Sequence, residues 1–414
     1  MHDIRLPLGM LIGLTLIAAA CAPELTAEQE ARLRDMALSA EDPLPASPTN
    51  GVADDLQAAQ LGRLIFFDER MSSDGEVSCA SCHEPDRGWS DPRAVSRGVD
   101  GNEGGRHSMP VHSIAHQNFF FWDGRADSVW SQTLQAIESE AEMDFTRAEV
   151  AHYVADHRRA DYEAIFGPMP DLSSVPRRAT AGDAAWEALS AQTKRDVERV
   201  FTNVGKVLEA YQRQLNCGDT RFDQWARGEV SMTRTEEIGA AVFVQERCID
   251  CHSGVTFSDG EFHNLGLPSR ENGDTGRQQG LASLLDNPFN GAGEYSDNTA
   301  AGTARLVEAM EENNTLGAFR TPTLRGVTQR RFFGHGSNAQ QLGQFLEEAY
   351  DRNGGGGGDG RDRRRGGDDN NNSVGQIDPI LRDVDADGFE EELVQFMQML
   401  ECRPTPAQWG PPSN

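Results

Sequence analysis

Two pentapeptides, Cys79-Ala80-Ser81-Cys82-His83 and Cys248-Ile249-Asp250-Cys251-His252, carry the most specific chemistry in this chain. The C-x-x-C-H pattern supplies two thiols for thioether bonds to porphyrin vinyl groups and, directly after them, the imidazole that becomes the proximal iron ligand. A C-x-x-C alone also fits a zinc half-site or a thioredoxin-like dithiol. Zinc needs two further ligands at matching spacing, and a thioredoxin motif sits in a βαβ context. Neither surrounds these pentapeptides, and both keep the trailing histidine. Two covalently bound haem c groups are therefore expected, one in each half of the chain, and with them redox chemistry at iron.

Such ligands need rigid elements on either side, and the apolar periodicity supplies helices. Thr26-x-x-Gln29 opens a short helix; residues 53–64 form another ahead of the first pentapeptide, and 128–140, 147–166 and 183–215 follow. In the second half a Thr233-x-x-Glu236 capping box opens a helix over 235–245 that leads into the second pentapeptide. Residues 340–350 are amphipathic and 388–401 close the fold. No run alternates as a strand does, so the expected class is mainly α. Residues 353–372 contain only Gly, Asp, Arg and Asn; they bury nothing to offset their ordering entropy and are expected as a flexible surface insertion. Asp383-x-Asp385-x-Asp387-Gly388 imitates the start of an EF-hand loop, but its twelfth position is Val394 rather than a bidentate Glu, so it reads as an acid-rich helix start.

The N-terminus reads as an export signal over residues 1–21: Arg5, an apolar run over 6–20 too short for a comfortable membrane span, then Ala18-Ala19-Ala20-Cys21. Cys directly after small residues resembles a bacterial lipobox, with Cys21 lipidated; an ordinary signal peptide is the alternative. Either reading exports the chain to the periplasm, with the membrane met only through a lipid anchor. Of the seven cysteines, four hold haem, Cys21 holds lipid, and Cys217 and Cys402 remain. In an oxidising compartment these two form a disulfide tying the chain end to its middle, or else stay as separate buried thiols. A net charge of −28 excludes nucleic acid and anionic membrane as partners and favours a locally basic electron donor.

The residues around the haems resemble the bacterial di-haem cytochrome c peroxidases, including the methylamine-utilisation MauG type. The likeness runs over about residues 61–400, and its first-half pieces are Leu61-Gly62-Arg63-Leu64-Ile65-Phe66-Phe67-Asp68, Phe120-Phe121-Trp122-Asp123-Gly124-Arg125-Ala126 and Glu142-Met143. Phe257-Ser258-Asp259, Phe262-His263-Asn264-Leu265-Gly266 and Phe319-Arg320-Thr321-Pro322-Thr323-Leu324-Arg325 carry it in the second half. The resemblance implies two cytochrome c-like haem domains packed together: residues 22–230 with the peroxidatic haem and 231–414 with the electron-transfer haem.

It also implies roles. His83 holds the iron that meets hydrogen peroxide. Trp122, Gln132 and Glu142 stand at the family's ten-residue intervals. Peroxide heterolysis needs a base to move a proton from the inner to the outer oxygen and a polar group to orient it, tasks that suit Glu142 and Gln132. Trp122 relays electrons between the haems, or is core packing beside a porphyrin. The iron at His252 takes a second ligand, Met or Tyr in the family; Tyr350 is the candidate here, with another ligand left open. The distal histidine of several peroxidases is replaced by Asp100, leaving His107 or His112 as substitutes. The family's calcium site corresponds to Ser108 and residues 330–332, and calcium is left open. The leading function is a periplasmic di-haem peroxidase, fed by a small cytochrome c or cupredoxin or by oxidising a protein substrate in the MauG manner. The alternative is a non-catalytic di-haem electron-transfer cytochrome, with both irons closed.

Overall fold

The computed structural model describes residues 22–351 and 374–412 apart from 385 and 387; Cys21 and the 353–372 insertion lie outside the described residues. The helices of the first half are α1 (Ala27–Arg34), α2 (Leu56–Phe66), α3 (Val129–Glu138), α4 (Arg147–Tyr153), α5 (Arg159–Phe166), α6 (Ala184–Glu187) and α7 (Ala191–Gln212). The second half adds α8 (Arg221–Ala226), α9 (Arg234–Gln245), α10 (Cys248–Cys251), α11 (Arg277–Asp286), α12 (Thr299–Met310), α13 (Leu342–Asp351) and α14 (Glu390–Gln398). Two short antiparallel strands, Phe262–His263 and Phe319–Arg320, pair Phe262 with Arg320 and His263 with Phe319. The fold is thus mainly helical.

Local chemistry accounts for most of the boundaries. Reciprocal capping boxes open α1, α4, α8 and α9: Thr26, Thr146, Thr220 and Thr233 accept from the third helical N–H, while Gln29, Glu149, Asp223 and Glu236 reach back. The helix expected over 183–215 is two helices, because Ser190 caps α7 by accepting from the Thr193 N–H. The helix expected over 147–166 is interrupted by a wider turn at Val154–Arg158.

The helices enclose two apolar cores. In the first, Val200, Val204, Val207 and Tyr211 of α7 pack with Leu61, Ile65 and Phe66 of α2 and with Trp130 and Leu134 of α3. In the second, Phe243 of α9, Phe257, and Leu393 and Phe396 of α14 are fully buried together. Each core brings two helix backbones together at a glycine. A Cβ on Gly62 of α2 would lie 1.9 Å from the Val207 carbonyl oxygen of α7, and one on Gly239 of α9 would lie 2.0 Å from the Glu392 carbonyl oxygen of α14. The helix that precedes each pentapeptide is thereby seated against its partner.

The chain ends are exchanged between the cores. Leu33 and Met36 are buried in the second, whereas Trp409 belongs to the first. Tyr211 donates to the Trp409 carbonyl at 2.7 Å, and Arg63 to that of Gly410 at 2.6 Å. A disulfide joins Cys217 to Cys402, behind α7 and ahead of this tail.

Beside the second core lies a fully buried ion pair, Arg325 with Asp223 at 2.8 Å. Removing one partner of such a pair leaves an uncompensated buried charge. Asp223→Ala is therefore expected to lower stability by about 3–5 kcal/mol, measured by urea unfolding of the oxidised protein. A loss below about 1 kcal/mol, the scale of an exposed pair, would show that the pair is not structural.

Candidate functional site

Both pentapeptides fold as single tight turns, Cys79–Ser81 in 3-10 and Cys248–Cys251 in α conformation. Each trailing histidine is then fixed by a carbonyl: His83 Nδ1 donates to Trp89 at 3.2 Å and His252 Nδ1 to Phe257 at 3.0 Å. A carbonyl can only accept, so Nδ1 carries the proton and Nε2 keeps its lone pair. Both carbonyls belong to residues in left-handed backbone, φ 56° at Trp89 and 53° at Phe257. That conformation costs a bulky residue on the order of 1–3 kcal/mol and persists only where packing holds it; both side chains are buried. Burial also lowers the pKa of His83 and His252, which keeps the rings neutral. The same burial pushes the thiols of Cys79 up to about 12, Cys82 to about 11 and Cys248 to about 12. Cys79, Cys82 and Cys248 therefore lack the low-pKa thiolate on which dithiol oxidoreductases depend.

A cavity opens beside each of these histidines. The first brings Cys82, His83, Trp122, Gln132 and Glu142 together with Arg106, Asp123, Arg125 and Asp274. The second holds Cys248, Cys251 and His252 among Phe243, Leu265, Phe319, Leu324, Phe333, Leu346 and Met397. One cavity is polar and charged, the other mostly apolar. His107, Ser108, Met109, Pro110, Trp122 and Arg320 line both and form the wall between them. Trp122 is fixed in that wall: its indole N–H donates to the His107 carbonyl at 2.8 Å, and its ring meets His335 edge-on at 6.2 Å. His335 in turn stacks on Phe319 at 3.7 Å.

Gln132 comes from α3, whose start is fixed by Ser128 accepting from the Ser131 N–H. Glu142 stands in the turn after that helix. Its carbonyl accepts from Val99 N at 2.9 Å, and Gly98 lies so close that a Cβ there would be 2.3 Å from the Ala141 and Glu142 carbonyl oxygens. Burial raises the Glu142 carboxyl above its ordinary range, while Arg125 and a hydrogen bond from Ser139 act the other way.

The substitutes for a distal histidine are otherwise engaged. Both ring nitrogens of His107 are held, by Ser90 Oγ at 3.2 Å and the Ala94 carbonyl at 3.3 Å. His112 lines neither cavity, and Asp100 sits exposed in a left-handed turn at φ 55°. Tyr350 lies on α13, but its side chain is outside the described residues.

The walls fit a tetrapyrrole. Arg320 Nη1 and Arg330 Nε are buried and reach no protein acceptor, and burial holds the two guanidiniums at about 10 and about 9. Porphyrin propionates are the anionic partners such groups lack. His263 adds a third cation to the second cavity, its pKa raised to about 11 by Asp259, with Cys251 and Asp378 contributing. Sequence reasoning quoted Arg320 and His263 as marks of resemblance without giving them a task, and met Arg330 only at the position of the calcium site; the signal was a cationic side chain inside each of the two strings. The same charges do not suit calcium. Ser108 Oγ donates to the Cys82 carbonyl at 3.2 Å, the Ser108 carbonyl already accepts from Ser90, and Arg330 donates to the Thr323 and Arg325 carbonyls at 3.0 and 2.8 Å. A fixed buried cation stands where a hard dication would need oxygens.

Comparison with known proteins bears on the same region. The family model for di-haem cytochrome c peroxidase matches residues 56–231. The methylamine utilization protein MauG of Methylorubrum extorquens is 32% identical over 276 residues, covering 63% of this chain and 70% of that protein. MauG of Paracoccus denitrificans is 31% identical over 307 residues, covering 66% and 69%. Among solved structures, the diheme peroxidase BthA from Burkholderia thailandensis superposes with a TM-score of 0.62 at 19% identity, over 87% of this chain and 90% of that one, and so shares the fold.

A buried guanidinium favours the more negative, reduced form of a nearby iron centre. Arg320→Met is expected to lower the midpoint potential of at least one haem and Arg320→Lys to retain most of it, in a spectroelectrochemical titration. Unchanged potentials in Arg320→Met would remove the residue from this role.

Proposed function

The chain belongs to the di-haem cytochrome c peroxidase family that includes the MauG proteins, and on that premise we propose that its polar cavity at His83 is where hydrogen peroxide reacts and its apolar cavity at His252 is where oxidising equivalents are shared. It is an oxidoreductase of the di-haem peroxidase kind. Haem would be held by His83 and His252 at iron, with Cys79, Cys82, Cys248 and Cys251 as thioether anchors, and would supply the peroxide-binding metal and the redox change. The protein supplies the rest. One observation carries the reading: Gln132 and Glu142 stand in the cavity of His83, and Trp122 belongs to both cavities.

Glu142, in its carboxylate form, takes the proton from the inner peroxide oxygen and returns it to the outer one, so that the departing oxygen leaves as water. The Gln132 amide orients the peroxide through its own hydrogen bonds. Trp122 passes an electron across the wall between the cavities, which its fixed indole and the adjoining His335 and Phe319 rings make a continuous aromatic path. The residues around His252 are mostly apolar, which suits that side to electron transfer.

Electrons come from a partner protein, a small cytochrome c or cupredoxin or a polypeptide that is itself oxidised, and the acidity of this chain calls for a basic docking face on it. We place the enzyme in the periplasm, with Cys21 as its lipid attachment. The engaged ring nitrogens of His107 and the position of His112 outside both cavities weigh against a carrier with two closed irons.

Glu142→Gln is expected to slow the reaction of ferric protein with peroxide by about 10²–10⁴ while leaving the resting absorption spectrum unchanged, in stopped-flow mixing. Because burial raises the Glu142 pKa, the base form is lost as pH falls through a value above the ordinary 4.5. The wild-type rate should therefore decline at a higher pH than a free carboxylate would give, and Glu142→Gln should abolish that limb. An equal rate in the variant would take Glu142 out of the mechanism.

A further inference from the structure

Away from both cavities, the imidazole of His112 faces the Cys217–Cys402 disulfide, with one of its ring nitrogens and the two sulfurs all within 4.8 Å of one another. His112 is 2% exposed, and neither ring nitrogen has a hydrogen-bond partner in the protein. It lines neither haem cavity, so the cofactors do not satisfy it. A buried polar group left so costs about 1–3 kcal/mol, which is unusual enough to need a reason.

The surroundings keep the place open and fixed. Gly326, at φ 65°, borders it, and a Cβ there would fall 2.9 Å from Cys402 Sγ and 3.1 Å from His112 Nε2. Ser113 N donates to the Leu215 carbonyl at 2.6 Å and Cys217 N to Ser113 Oγ at 3.0 Å, locking the two chain segments together. Burial and the nearby Arg330 and Arg325 push His112 down to about 3, so the ring is neutral and its lone pair is free. Arg325 is neutralised by Asp223.

We propose that reduction of this disulfide converts His112, Cys217 and Cys402 into a binding site for a thiophilic d10 cation of the Zn2+ class. The reductant is a dithiol or phosphine: it gives two electrons, the S–S bond breaks, and two protons complete the thiols. Cation binding then releases those two protons and forms two metal–thiolate bonds and one metal–imidazole bond, a three-donor set with room for one exogenous ligand. The cation replaces the disulfide as the cross-link, so the tail carrying Thr405 and Trp409 stays attached to the end of α7 whether the sulfurs are oxidised or reduced.

The test uses the holoprotein with both haems attached and Cys21→Ser, so that of the other five cysteines four are blocked as thioethers and the fifth is removed. It is treated with a phosphine, desalted, incubated with Zn2+ alone and desalted again before metal analysis. The reduced protein is expected to retain about one zinc per chain and the untreated protein none. His112→Phe should weaken zinc binding at least about tenfold, in competition with a chromophoric chelator, as loss of a ligand demands at minimum. Equal zinc in oxidised and reduced protein, unchanged affinity in His112→Phe, or a disulfide that withstands the phosphine in the folded protein would each overturn the proposal. Should His112→Phe fail to fold, the comparison of reduced with untreated Cys21→Ser protein decides by itself.

Discussion

The buried pair of Arg325 and Asp223 is the interaction on which the arrangement of the two halves rests. Removing a guanidinium and a carboxylate from water is costly, and such a pair persists only when every donor is met. Here all five are: Arg325 donates twice to Asp223 and once each to the carbonyls of Cys217, Met36 and Val255. Those partners lie on α8, on the segment behind α7, on the segment after α1 and on the loop after the second pentapeptide. That loop is held again where Thr323 Oγ1 donates to the Thr256 carbonyl at 2.6 Å. The carbonyl that orients His252 is the next in the chain, so one ion pair fixes the frame in which the second haem ligand is aimed.

The two halves use one device for the metal ligand and opposite devices for what lies across from it. Both histidines are aimed by a carbonyl held in left-handed backbone, at Trp89 and Phe257. Across the cavity, carboxylate, amide and guanidinium groups meet His83, whereas phenylalanine and leucine meet His252. In a dry apolar surround a neutral imidazole and an iron centre exchange electrons with little rearrangement; in a polar one, protons can be moved as well. On the proposed reading, similar ligation serves two purposes and Trp122, which lines both cavities, lets them communicate.

Much of this was legible in the sequence, because the pentapeptide pattern and helix capping are local. The pentapeptides, the Thr26 and Thr233 caps and the intervals joining Trp122, Gln132 and Glu142 depend on residues near one another in the chain. What was not legible depends on distant pairs. No apolar period marks α8, which has only six residues, nor α12, whose Ala, Gly and Thr content blurs one. Gly62 and Gly239 are ordinary glycines until Val207 and Glu392 are brought against them. Arg320 stood in a recognised string and Arg330 at the position of the calcium site, and their lack of a carboxylate became visible only with the cavities. The exchange of Leu33 and Trp409 between cores is likewise a property of three dimensions.

The tail after Cys402 has a bearing on how the molecule is assembled in time. The Trp89 indole, whose backbone carbonyl orients His83, donates to Thr405 Oγ at 3.1 Å, and Trp409 closes the core built by α2 and α7. Thr405 stands more than three hundred positions after Trp89 in the chain. The first core is therefore completed by a long-range closure, which slows folding and prolongs exposure of its apolar surface. On the proposed reading of Cys79 and Cys82 as haem anchors, that slow step leaves the pair accessible before the segment after Cys402 packs against Trp89.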